Sequence, residues 1–162
     1  MRHEIPIRCF SIALYVPRPA QAGYQVLLLR RNGHTQPGQW CQIAGGIEAG
    51  ESARQTARRE AKEETGLQLA DLYSADRCEQ FYEADNNGLT LVPVFVAYFA
   101  ADADIVLNAE HSEFHCATFE EAAQMFPFPG QRDILHHIHR YFAEQQPHPL
   151  LWMPLDAYPL FQ

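Results

Sequence analysis

Two spacings of apolar residues run along this chain, and each spacing predicts a different kind of element. Branched and alternating apolar runs bounded by Gly, Pro and Asn are typical of strands, whereas apolar residues three or four apart are typical of helices. The strand pattern covers residues 5–16, 24–31, 41–43, 72–83, 89–100 and 110–118. The helical pattern begins at Ser52 and returns at residues 119–125 and 131–145. We therefore expect strands and helices mixed within one domain.

Turn signals indicate which of the predicted strands are neighbours. Pro17 ends the first strand and residues 18–23 form a turn, so strands 5–16 and 24–31 are expected to pair as a hairpin. The Asn-Gly dipeptide in the turn 84–88 is a hairpin signal, and it predicts that the strands on either side of that turn also pair.

The helix that starts at Ser52 has clear signals at both ends and one face of small residues. Ser52 and Gln55 form a capping box at its start, and Gly66 is placed to end it in the left-handed conformation. One stripe along this helix consists of Ala53, Ala57 and Ala61. The opposite, solvated side carries Arg54, Arg58 and Lys62. The alanine stripe is therefore expected to face a sheet.

Acidic side chains border the alanine stripe. Glu60 and Glu64 lie at its edge, and Glu63 lies slightly beyond. Small alanines let the helix lie close to a sheet, so Glu60 and Glu64 should be half-buried, where carboxylates repel each other and resist ionisation. A hard divalent cation removes that penalty, and carboxylate oxygens suit Mg²⁺ or Mn²⁺. The alternative is a solvated face of acids paired with nearby arginines.

Length and charge narrow the class of ligand. The 162 residues suit a single domain spanning 1–162, with a composition typical of a soluble globular protein. The formal net charge of −8, with Lys62 as the only lysine, argues against a nucleic acid polymer held on a basic surface. A small phosphorylated ligand brought in with a metal is compatible with that charge. No membrane contact is expected, because the longest apolar run, residues 89–101, contains Pro93 and is too short to span a bilayer.

The cysteines and the N-terminus indicate a compartment. Four cysteines are scattered without C-x-x-C pairing, namely Cys9, Cys41, Cys78 and Cys116. The first residues lack the basic, apolar and small-residue pattern of a secretory leader. We therefore expect free thiols and a cytoplasmic protein.

The stretch from Gly45 to Leu67 resembles the Nudix box, G-x5-E-x7-R-E-U-x-E-E-x-G-U, in which U is apolar. Here it reads G-G-I-E-A-G-E-S-A-R-Q-T-A-R-R-E-A-K-E-E-T-G-L and matches without a gap. Seven fixed letters at about 5% each meet by chance on the order of once in 10⁹ positions, so the solvated-face alternative loses most of its weight. The order of elements over residues 5–145 and the P-G-x-W approach at 37–40 are also similar to that family.

Resemblance to the Nudix hydrolases implies an α+β fold, an α/β/α sandwich with a curved mixed sheet between helices and the box as a loop-helix-loop. It also implies metal-dependent hydrolysis of a phosphoanhydride in a nucleotide, by a water that a metal or a carboxylate activates. Compact size and the stretch 110–114 favour a nucleoside triphosphate or a pterin triphosphate, cleaved to monophosphate and pyrophosphate. Diadenosine polyphosphates and nucleotide sugars such as ADP-ribose are the alternative substrates. A non-catalytic domain that senses a nucleotide is the alternative class.

The resemblance also implies roles for residues of the box. Three carboxylates would hold the Mg²⁺ or Mn²⁺, namely Glu60, Glu63 and Glu64. The main-chain carbonyl of Ala44 would be a further ligand. Arg59 would orient a box glutamate through a salt bridge, and Glu51 would brace the loop or ligate a water. Three glycines shape the loop and end the helix, namely Gly45, Gly46 and Gly66.

Residues outside the box complete the candidate site. The stretch E-H-S-E-F at 110–114 is similar to the E-H-x-E-[FY] of nucleotide-hydrolysing members, which brings a further acid near the metals. The Arg-Trp that usually follows is replaced by His-Cys at 115–116. The general base stays open among Glu63, Glu110 and Glu113. Arg30 and Arg31 end the second strand, where they are placed either to grip a substrate phosphate or to form a solvated strand end.

Two features lie near the C-terminus. Three histidines of the last helix point in different directions, so we expect packing or solvated roles for them rather than a metal site: His136, His137 and His139. The tail, residues 146–162, is Pro-rich and too apolar for an ordinary disordered end. It is expected to pack on its own domain or to bridge to another subunit, as in a homodimer.

Overall fold

Two β-sheets lie between helices in the computed structural model, which describes residues 2–154. The strands are β1 (Ile7–Arg8), β2 (Ser11–Tyr15), β3 (Pro17–Pro19), β4 (Tyr24–Arg31), β5 (Trp40–Cys41), β6 (Ile43–Gly46), β7 (Leu72–Glu83), β8 (Gly88–Val96), β9 (His111–Thr118) and β10 (Trp152–Met153). The helices are α1 (Ala53–Thr65), α2 (Phe119–Met125) and α3 (Pro129–Ile138), which continues into a π-helical turn (His139–Ala143). A short 3₁₀ turn (Pro149–Leu151) precedes β10.

The larger sheet is mixed and the smaller one is antiparallel. The larger sheet has the order β10-β7-β8-β2-β6 with β1 beside β8, and β2 runs parallel to β8 but antiparallel to β6. The smaller sheet has the order β3-β4-β5 with β9 beside β4. Alternate side chains of β2 and β4 enter two cores, one against α2 and α3 and the other against α1. The predicted α/β/α sandwich is therefore confirmed.

Helix α1 forms as its local signals predict. The Ser52 Oγ accepts a hydrogen bond from the Gln55 N–H (3.3 Å), and the Gln55 side chain accepts one from the Ser52 N–H (2.8 Å). Gly66 ends the helix at φ 74°, in the left-handed region that favours glycine, and donates its N–H to the Lys62 carbonyl. Ala57 and Ala61 are fully buried against the sheet, so the prediction for the alanine stripe is confirmed.

The first predicted strand, residues 5–16, is wrong in extent and in pairing. Cys9 and Phe10 divide it into β1 and β2, whose parallel registers against β8 differ by one residue. Strand β2 pairs with β6 and β8 instead of forming the predicted hairpin with β4. Of the strands β1, β2 and β3, only β3 pairs with β4, and most of β3 lies in the segment predicted as a turn. A proline-rich edge segment can do so because its missing N–H groups face away from the partner strand.

The remaining elements differ from prediction mainly at their ends. The predicted bounds of β4, β7 and α2 are confirmed. Strand 89–100 is observed as β8, which ends at Val96, and strand 41–43 is divided into β5 and β6 at Gln42. Helix 131–145 begins at Pro129, because proline is well tolerated in the first helical turn, and its last part is the π-helical turn.

The described part of the tail packs on its own chain. Strand β10 pairs antiparallel with the start of β7, and the Trp152 indole N–H donates to the Asp71 carboxylate (2.9 Å). The Arg54 guanidinium donates to the Pro154 carbonyl (3.2 Å). The end of the predicted tail, residues 155–162, lies outside the described residues. Within residues 2–154, no helix is long and apolar enough to cross a membrane.

Of the histidines near the C-terminus, for which packing or solvated roles were predicted, His137 and His139 pack against other groups and His136 is exposed. The His137 ring nitrogen lies 2.7 Å from the Ala75 carbonyl, and the His139 ring stacks on Phe119 with ring centroids 4.8 Å apart. His136 lies beside His139 along a groove between α2 and α3. Among the described residues, no cluster of His, Cys, Asp or Glu side chains is arranged to hold a metal ion, and this includes the three histidines.

Candidate active site

Gly45 lets helix α1 lie directly against strand β6. A Cβ atom built on Gly45 would coincide with the side chain of Glu60, so an alanine at this position cannot coexist with the observed Glu60 conformation. Gly46, the next residue, has room for a Cβ, since its nearest neighbour would be the Phe10 carbonyl oxygen at 3.9 Å. The first box glycine is therefore required by a close approach, whereas the second is not.

This contrast gives a direct test of the loop. We expect Gly45→Ala to displace the Glu60 carboxylate and to lower the free energy of unfolding by about 1–3 kcal/mol, as overpacking typically does. Gly46→Ala, the matched control, should leave the free energy of unfolding nearly unchanged. Urea unfolding followed by circular dichroism measures both variants. Equal stabilities would contradict the close packing of Gly45 on Glu60.

Arg59 connects the box loop to helix α1. Its guanidinium makes a two-pronged salt bridge to Glu51, with Nε–Oε1 2.8 Å and Nη2–Oε2 3.0 Å, and also donates to the Gly46 carbonyl (2.9 Å). Its Nη1 donates to Glu60 Oε1 (2.7 Å) and to Glu63 Oε2 (3.0 Å). The hydrogen bonds from Arg59 lower the pKa of Glu51 to about 2. Arg59 therefore holds the loop carboxylate ionised and fixes the Glu60 side chain.

Glu51 is the brace of the box loop. Besides the two Arg59 bonds, its Oε2 accepts hydrogen bonds from the Thr56 hydroxyl (2.9 Å) and from the Glu48 N–H (3.2 Å). Three of these four bonds tie the loop before α1 to the first two turns of the helix, and the bond from Glu48 lies within the loop. Of the two roles that the sequence left open for Glu51, this geometry favours the brace.

Glu64 is the most deeply buried carboxylate of the box. Its residue is 2% exposed, and its Oε2 is buried with no hydrogen-bond partner in the described structure. Burial above all, together with the nearby charges of Glu60 and Glu110, raises the pKa of Glu64 to about 9, against opposing effects of the Arg31 charge and the Ala44 N–H. The predicted burial of Glu60 and Glu64 is confirmed, since Glu60 is 9% exposed.

A cavity of about 220 Å³ opens beside Glu64. It is lined by Arg31, Gly33, His34, Thr35, Cys41, Gln42, Ala44, Glu64, Glu110 and His111. The buried carboxylate of Glu64, the exposed carboxylate of Glu110 and the Arg31 guanidinium meet here, and the neighbouring Glu60 acts electrostatically on Glu64. The cavity therefore presents both negative groups for a cation and a positive group for an anion.

The structure separates the two acids of the E-H-S-E-F stretch. Glu110 lines the cavity, and its charge raises the pKa of both Glu60 and Glu64, although burial is the larger cause in each case. Glu113 instead forms an exposed salt bridge with Arg30 (3.2 Å), its partner across strands β4 and β9. Glu110 is thus the carboxylate that joins the box acids, and Glu113 is not.

Of the two arginines at the end of β4, Arg31 lines the cavity and Arg30 does not. Arg31 lines the cavity, and its Nε is buried without a hydrogen-bond partner in the described residues. Arg30 is exposed, and besides Glu113 it contacts the Gly38 carbonyl through Nε (3.2 Å). Side chains of successive strand residues point to opposite faces, which explains why only one of the pair reaches the cavity.

The residues at the cavity have the oxygen atoms that a divalent cation needs, but among residues 2–154 their side chains are not arranged around a common point. Glu64 offers a buried, unpartnered oxygen, Glu110 and Ala44 line the same cavity, and Glu60 lies close enough to raise the pKa of Glu64. Carboxylate and carbonyl oxygens are the ligands that Mg²⁺ and Mn²⁺ prefer. No three such side chains are arranged to hold an ion among residues 2–154, because Arg59 binds Glu60 and also the half-exposed Glu63. A cation would therefore draw these carboxylates away from Arg59.

Some cavity residues were not among the candidates from the sequence, although His111 belongs to the E-H-S-E-F stretch. Gln42, Cys41 and His111 line the cavity, with the Cys41 Sγ 3.9 Å from His111 Nε2. Burial raises the pKa of Cys41 to about 11, so its thiol stays protonated at neutral pH and packs as a small apolar group. Gln42 was hidden inside a short predicted strand, and only its neighbours in the folded structure show that it faces the cavity.

Comparisons with known proteins agree with this geometry. The profile described as the NUDIX domain matches residues 10–142. The chain is 37% identical over 132 residues to an octanoyltransferase of Myxococcus xanthus, covering 80% of this chain but only 36% of that protein. It is 27% identical over 130 residues to the asymmetrical bis(5'-nucleosyl)-tetraphosphatase of Sus scrofa, covering 79% of this chain and 87% of that one. The crystal structure of a MutT protein from Methanosarcina mazei Go1 superposes with a TM-score of 0.69 at 26% identity, covering 86% of this chain and 97% of that one.

An α/β/α sandwich that carries this box defines an enzyme acting on acid anhydrides. The chain belongs to the Nudix family and is a Nudix hydrolase. Because the chain spans about a third of the Myxococcus xanthus protein, what that protein does as a whole is not carried over.

Proposed function

We propose that this Nudix hydrolase cleaves a nucleoside triphosphate, or a pterin triphosphate, to the monophosphate and pyrophosphate with Mg²⁺ or Mn²⁺. The observation that carries the proposal is the cavity in which Glu64 and Glu110 meet Arg31. A triphosphate needs positive charge on its oxygens and a carboxylate near the attacked phosphorus, and this cavity offers both. Its volume of about 220 Å³ suits a small ligand rather than a polymer.

Glu60 and Glu64, with the Ala44 carbonyl, would hold the cation, and Glu63 would join them on leaving Arg59. The bound cation would neutralise charge on the phosphate oxygens as the anhydride bond breaks. Arg31 would donate its buried, unpaired Nε–H and the rest of its guanidinium to phosphate oxygens. The role in phosphate binding is proposed for Arg31 alone, because Arg30 is committed to Glu113 and Gly38.

Glu110 would accept the proton of the attacking water. A general base needs a carboxylate in the cavity that is not already bound to a cation or an arginine. Glu110 is the one of the three candidates that fits, since Glu63 and Glu113 each pair with an arginine. Arg59 would act indirectly, by keeping Glu51 ionised and the loop closed on α1.

A panel of substrates tests the proposal. Nucleoside triphosphates, dihydroneopterin triphosphate, a dinucleoside tetraphosphate and ADP-ribose are incubated with Mg²⁺ or Mn²⁺, and the products are separated by anion-exchange chromatography. Monophosphate and pyrophosphate from a triphosphate would support the proposal. Two nucleotides and no pyrophosphate, from the dinucleoside tetraphosphate alone, would support the activity that the Sus scrofa relative is named for. Binding without any product would support the nucleotide-sensing alternative.

The raised pKa of Glu64 predicts how the stability of the protein depends on pH and on metal binding. Its pKa is about 9 in the folded state against an ordinary 4.5, so between these values the folded state binds more protons than the unfolded state. Stability of the metal-free protein should therefore fall as pH rises through that window. Glu64→Gln should raise the melting temperature at pH 8 without metal, and Mg²⁺ should raise the melting temperature of the parent but not of the variant.

Scanning calorimetry at pH 6 and pH 8, with EDTA or with 5–10 mM Mg²⁺ as a roughly saturating concentration, measures these shifts. Glu120→Gln on α2 is the matched control, because Glu120 is exposed and far along the chain from the box. A metal-induced increase that survives in Glu64→Gln would contradict the placement of the cation.

The four free cysteines fit the proposed cytoplasmic location. Cys9 and Cys78 are exposed as free thiols, which persist in a reducing compartment.

A further inference from the structure

The Glu110 carboxylate lines the cavity without being anchored by its own side chain. The residue is exposed, and within residues 2–154 its carboxylate forms no hydrogen bond and no salt bridge. A free glutamate side chain samples several rotamers, because each of its rotatable bonds has more than one staggered position. The place of this carboxylate in the cavity therefore depends on how firmly the backbone of Glu110 is held.

The segment before Glu110 is anchored to helix α1. The Val106 N–H donates to the Thr65 carbonyl at the end of that helix (2.9 Å). On either side of Val106, Ile105 and Leu107 are half-buried and pack against the core beneath α1. This anchor fixes the segment relative to the helix that carries the proposed metal ligands.

Asn108 closes the turn that carries Glu110. Its side-chain oxygen, Oδ1, accepts a hydrogen bond from the Glu110 N–H (3.1 Å), and the His111 Nδ1 lies 3.4 Å from the same oxygen. Its main-chain carbonyl accepts a hydrogen bond from the His111 N–H (3.4 Å). Asparagine commonly forms such turns, because its short side chain reaches the backbone N–H two residues further on. Since an N–H group only donates, Asn108 must present its oxygen to Glu110.

Asn32 joins the same turn to the end of strand β4. Its Nδ2 donates to the Ala109 carbonyl (3.2 Å), and its main-chain N–H donates to the Glu110 carbonyl (2.8 Å). Since a carbonyl group only accepts, Asn32 must present its NH₂ to Ala109. Asn32 directly follows Arg31, so these two bonds fix Glu110 relative to the arginine proposed to bind phosphate.

A β-bulge at Ser112 brings Glu110 opposite Asn32. Arg31 pairs with His111, because β9 has one residue more than β4 at the irregularity between the two strands. In a regular ladder Arg31 would face Ser112, and Asn32 would face His111. Bulges often lie next to active sites, where they change the direction of a side chain. The bulge and the two asparagines therefore act on the same residue, Glu110.

We propose that Asn32 and Asn108 are positioning residues that hold the general base Glu110 in the cavity, Asn32 through a side-chain donor and Asn108 through a side-chain acceptor. The inference rests on the proposed function, because Glu110 is the base proposed there. A base must lie within hydrogen-bond reach of the attacking water, and a displacement of about 1 Å lowers a rate by up to about 10²-fold. Neither asparagine lines the cavity, so each acts through Glu110.

Four single substitutions test the donor and the acceptor separately. Asn108→Ala and Asn32→Ala should each lower kcat by about 10–100-fold, with little change in KM or in the Mg²⁺ dependence. Asn108→Asp keeps an acceptor for the Glu110 N–H and should recover most of kcat. Asn32→Asp turns an acceptor toward the Ala109 carbonyl and should be as slow as Asn32→Ala. The same chemical change is thus expected to have opposite outcomes at the two positions.

Steady-state kinetics with the best substrate of the panel measures all four variants. Asn86→Ala is the matched control, because Asn86 is an exposed asparagine whose side chain donates to Glu83 (2.7 Å) in the turn between β7 and β8. It should keep the parental kcat. Parental kcat in both Asn32→Ala and Asn108→Ala, with Glu110→Gln impaired, would overturn the inference and leave the hydrolase function and its base standing.

Combination with Glu110→Gln shows whether the asparagines act through the base. Without the carboxylate there is no base to displace, so Asn108→Ala should lower the residual kcat of Glu110→Gln by less than about twofold. An equally large loss in both backgrounds would indicate a general effect on the cavity and would overturn the inference. Parental kcat in Glu110→Gln alone would overturn the proposed base and this inference with it.

Hydrogen exchange followed by mass spectrometry reports on the turn without any turnover. Peptides within residues 106–114 should exchange faster in Asn108→Ala and Asn32→Ala than in the parent, because the turn loses hydrogen bonds that keep it closed. The same peptides should exchange at the parental rate in Asn86→Ala. Parental exchange in both turn variants would overturn the inference. If one alanine variant fails to fold, as judged by circular dichroism, the other decides.

Discussion

Glu64→Gln is expected to lower kcat by roughly 10³-fold or more while the protein stays folded. The substitution is nearly isosteric, so packing around the side chain should hardly change. It removes the charge of the one box carboxylate that is fully inside the fold, at 2% exposure, with an unpartnered oxygen in the cavity. A cation that relies on this oxygen would lose its most buried ligand, and the phosphate charge would then be neutralised less effectively in the transition state.

Steady-state kinetics with the best substrate of the panel, at several Mg²⁺ concentrations, measures the effect. Glu120→Gln carries the same chemical change on an exposed residue of α2 and should keep the parental kcat. Because the metal-free fold keeps Glu64 protonated, at a cost in free energy that grows as pH rises above 4.5, the inactive Glu64→Gln protein should also be the more stable one without metal. Parental kcat in a folded Glu64→Gln protein would remove Glu64 from the metal site.

The parts of the fold that the sequence predicts well depend on local signals. Helix α1 follows from a capping box, a left-handed glycine and an alanine stripe, all within fifteen or so residues of one another. Local signals also predict α2 and the bounds of β4 and β7 correctly. These signals also place Glu60 and Glu64 on the buried face, because helical spacing alone decides which side chains share a face.

The parts that the sequence does not predict depend on contacts between distant segments. The pairing of β2 with β6 and β8 cannot be read from residues 5–16, and neither can the one-residue change of register against β8 between β1 and β2. The hydrogen bonds from Gln42 to Glu79 and from Gln131 to Gln42 also join distant segments, so they could not be predicted either. No spacing within one segment reports a contact of this kind.

The choice between neighbouring site residues also depends on long-range register. Strands β4 and β9 pair with an irregularity between Arg30 and Arg31, where Arg30 faces Glu113 and Arg31 faces His111. This register directs Arg31 into the cavity and leaves Arg30 outside. A shift of one residue would exchange the two faces, so the sequence alone could not decide between the members of either pair.

The same register predicts opposite outcomes for the two acids of the E-H-S-E-F stretch. Glu110→Gln should lower kcat by about 10²–10⁴-fold, the usual contribution of a general base, because it removes the cavity carboxylate that is free to accept a proton. Glu113→Gln is the matched control, with the same substitution three residues further on. It should be nearly silent, because it removes only an exposed salt bridge to Arg30, and such pairs contribute little to stability.

The pH dependence of kcat and a metal titration show how Glu110 acts. If Glu110 serves only as the base, Glu110→Gln should remove the acidic limb of the pH profile and leave the Mg²⁺ dependence unchanged. If it also binds the cation, the variant should need more Mg²⁺ to reach half-maximal rate. A parental kcat in both Glu110→Gln and Glu113→Gln would place the base in the box, at Glu63. In the structure Glu63 forms a salt bridge with Arg59. The Glu63 carboxylate would therefore have to leave Arg59 when the cation binds before it could act as the base.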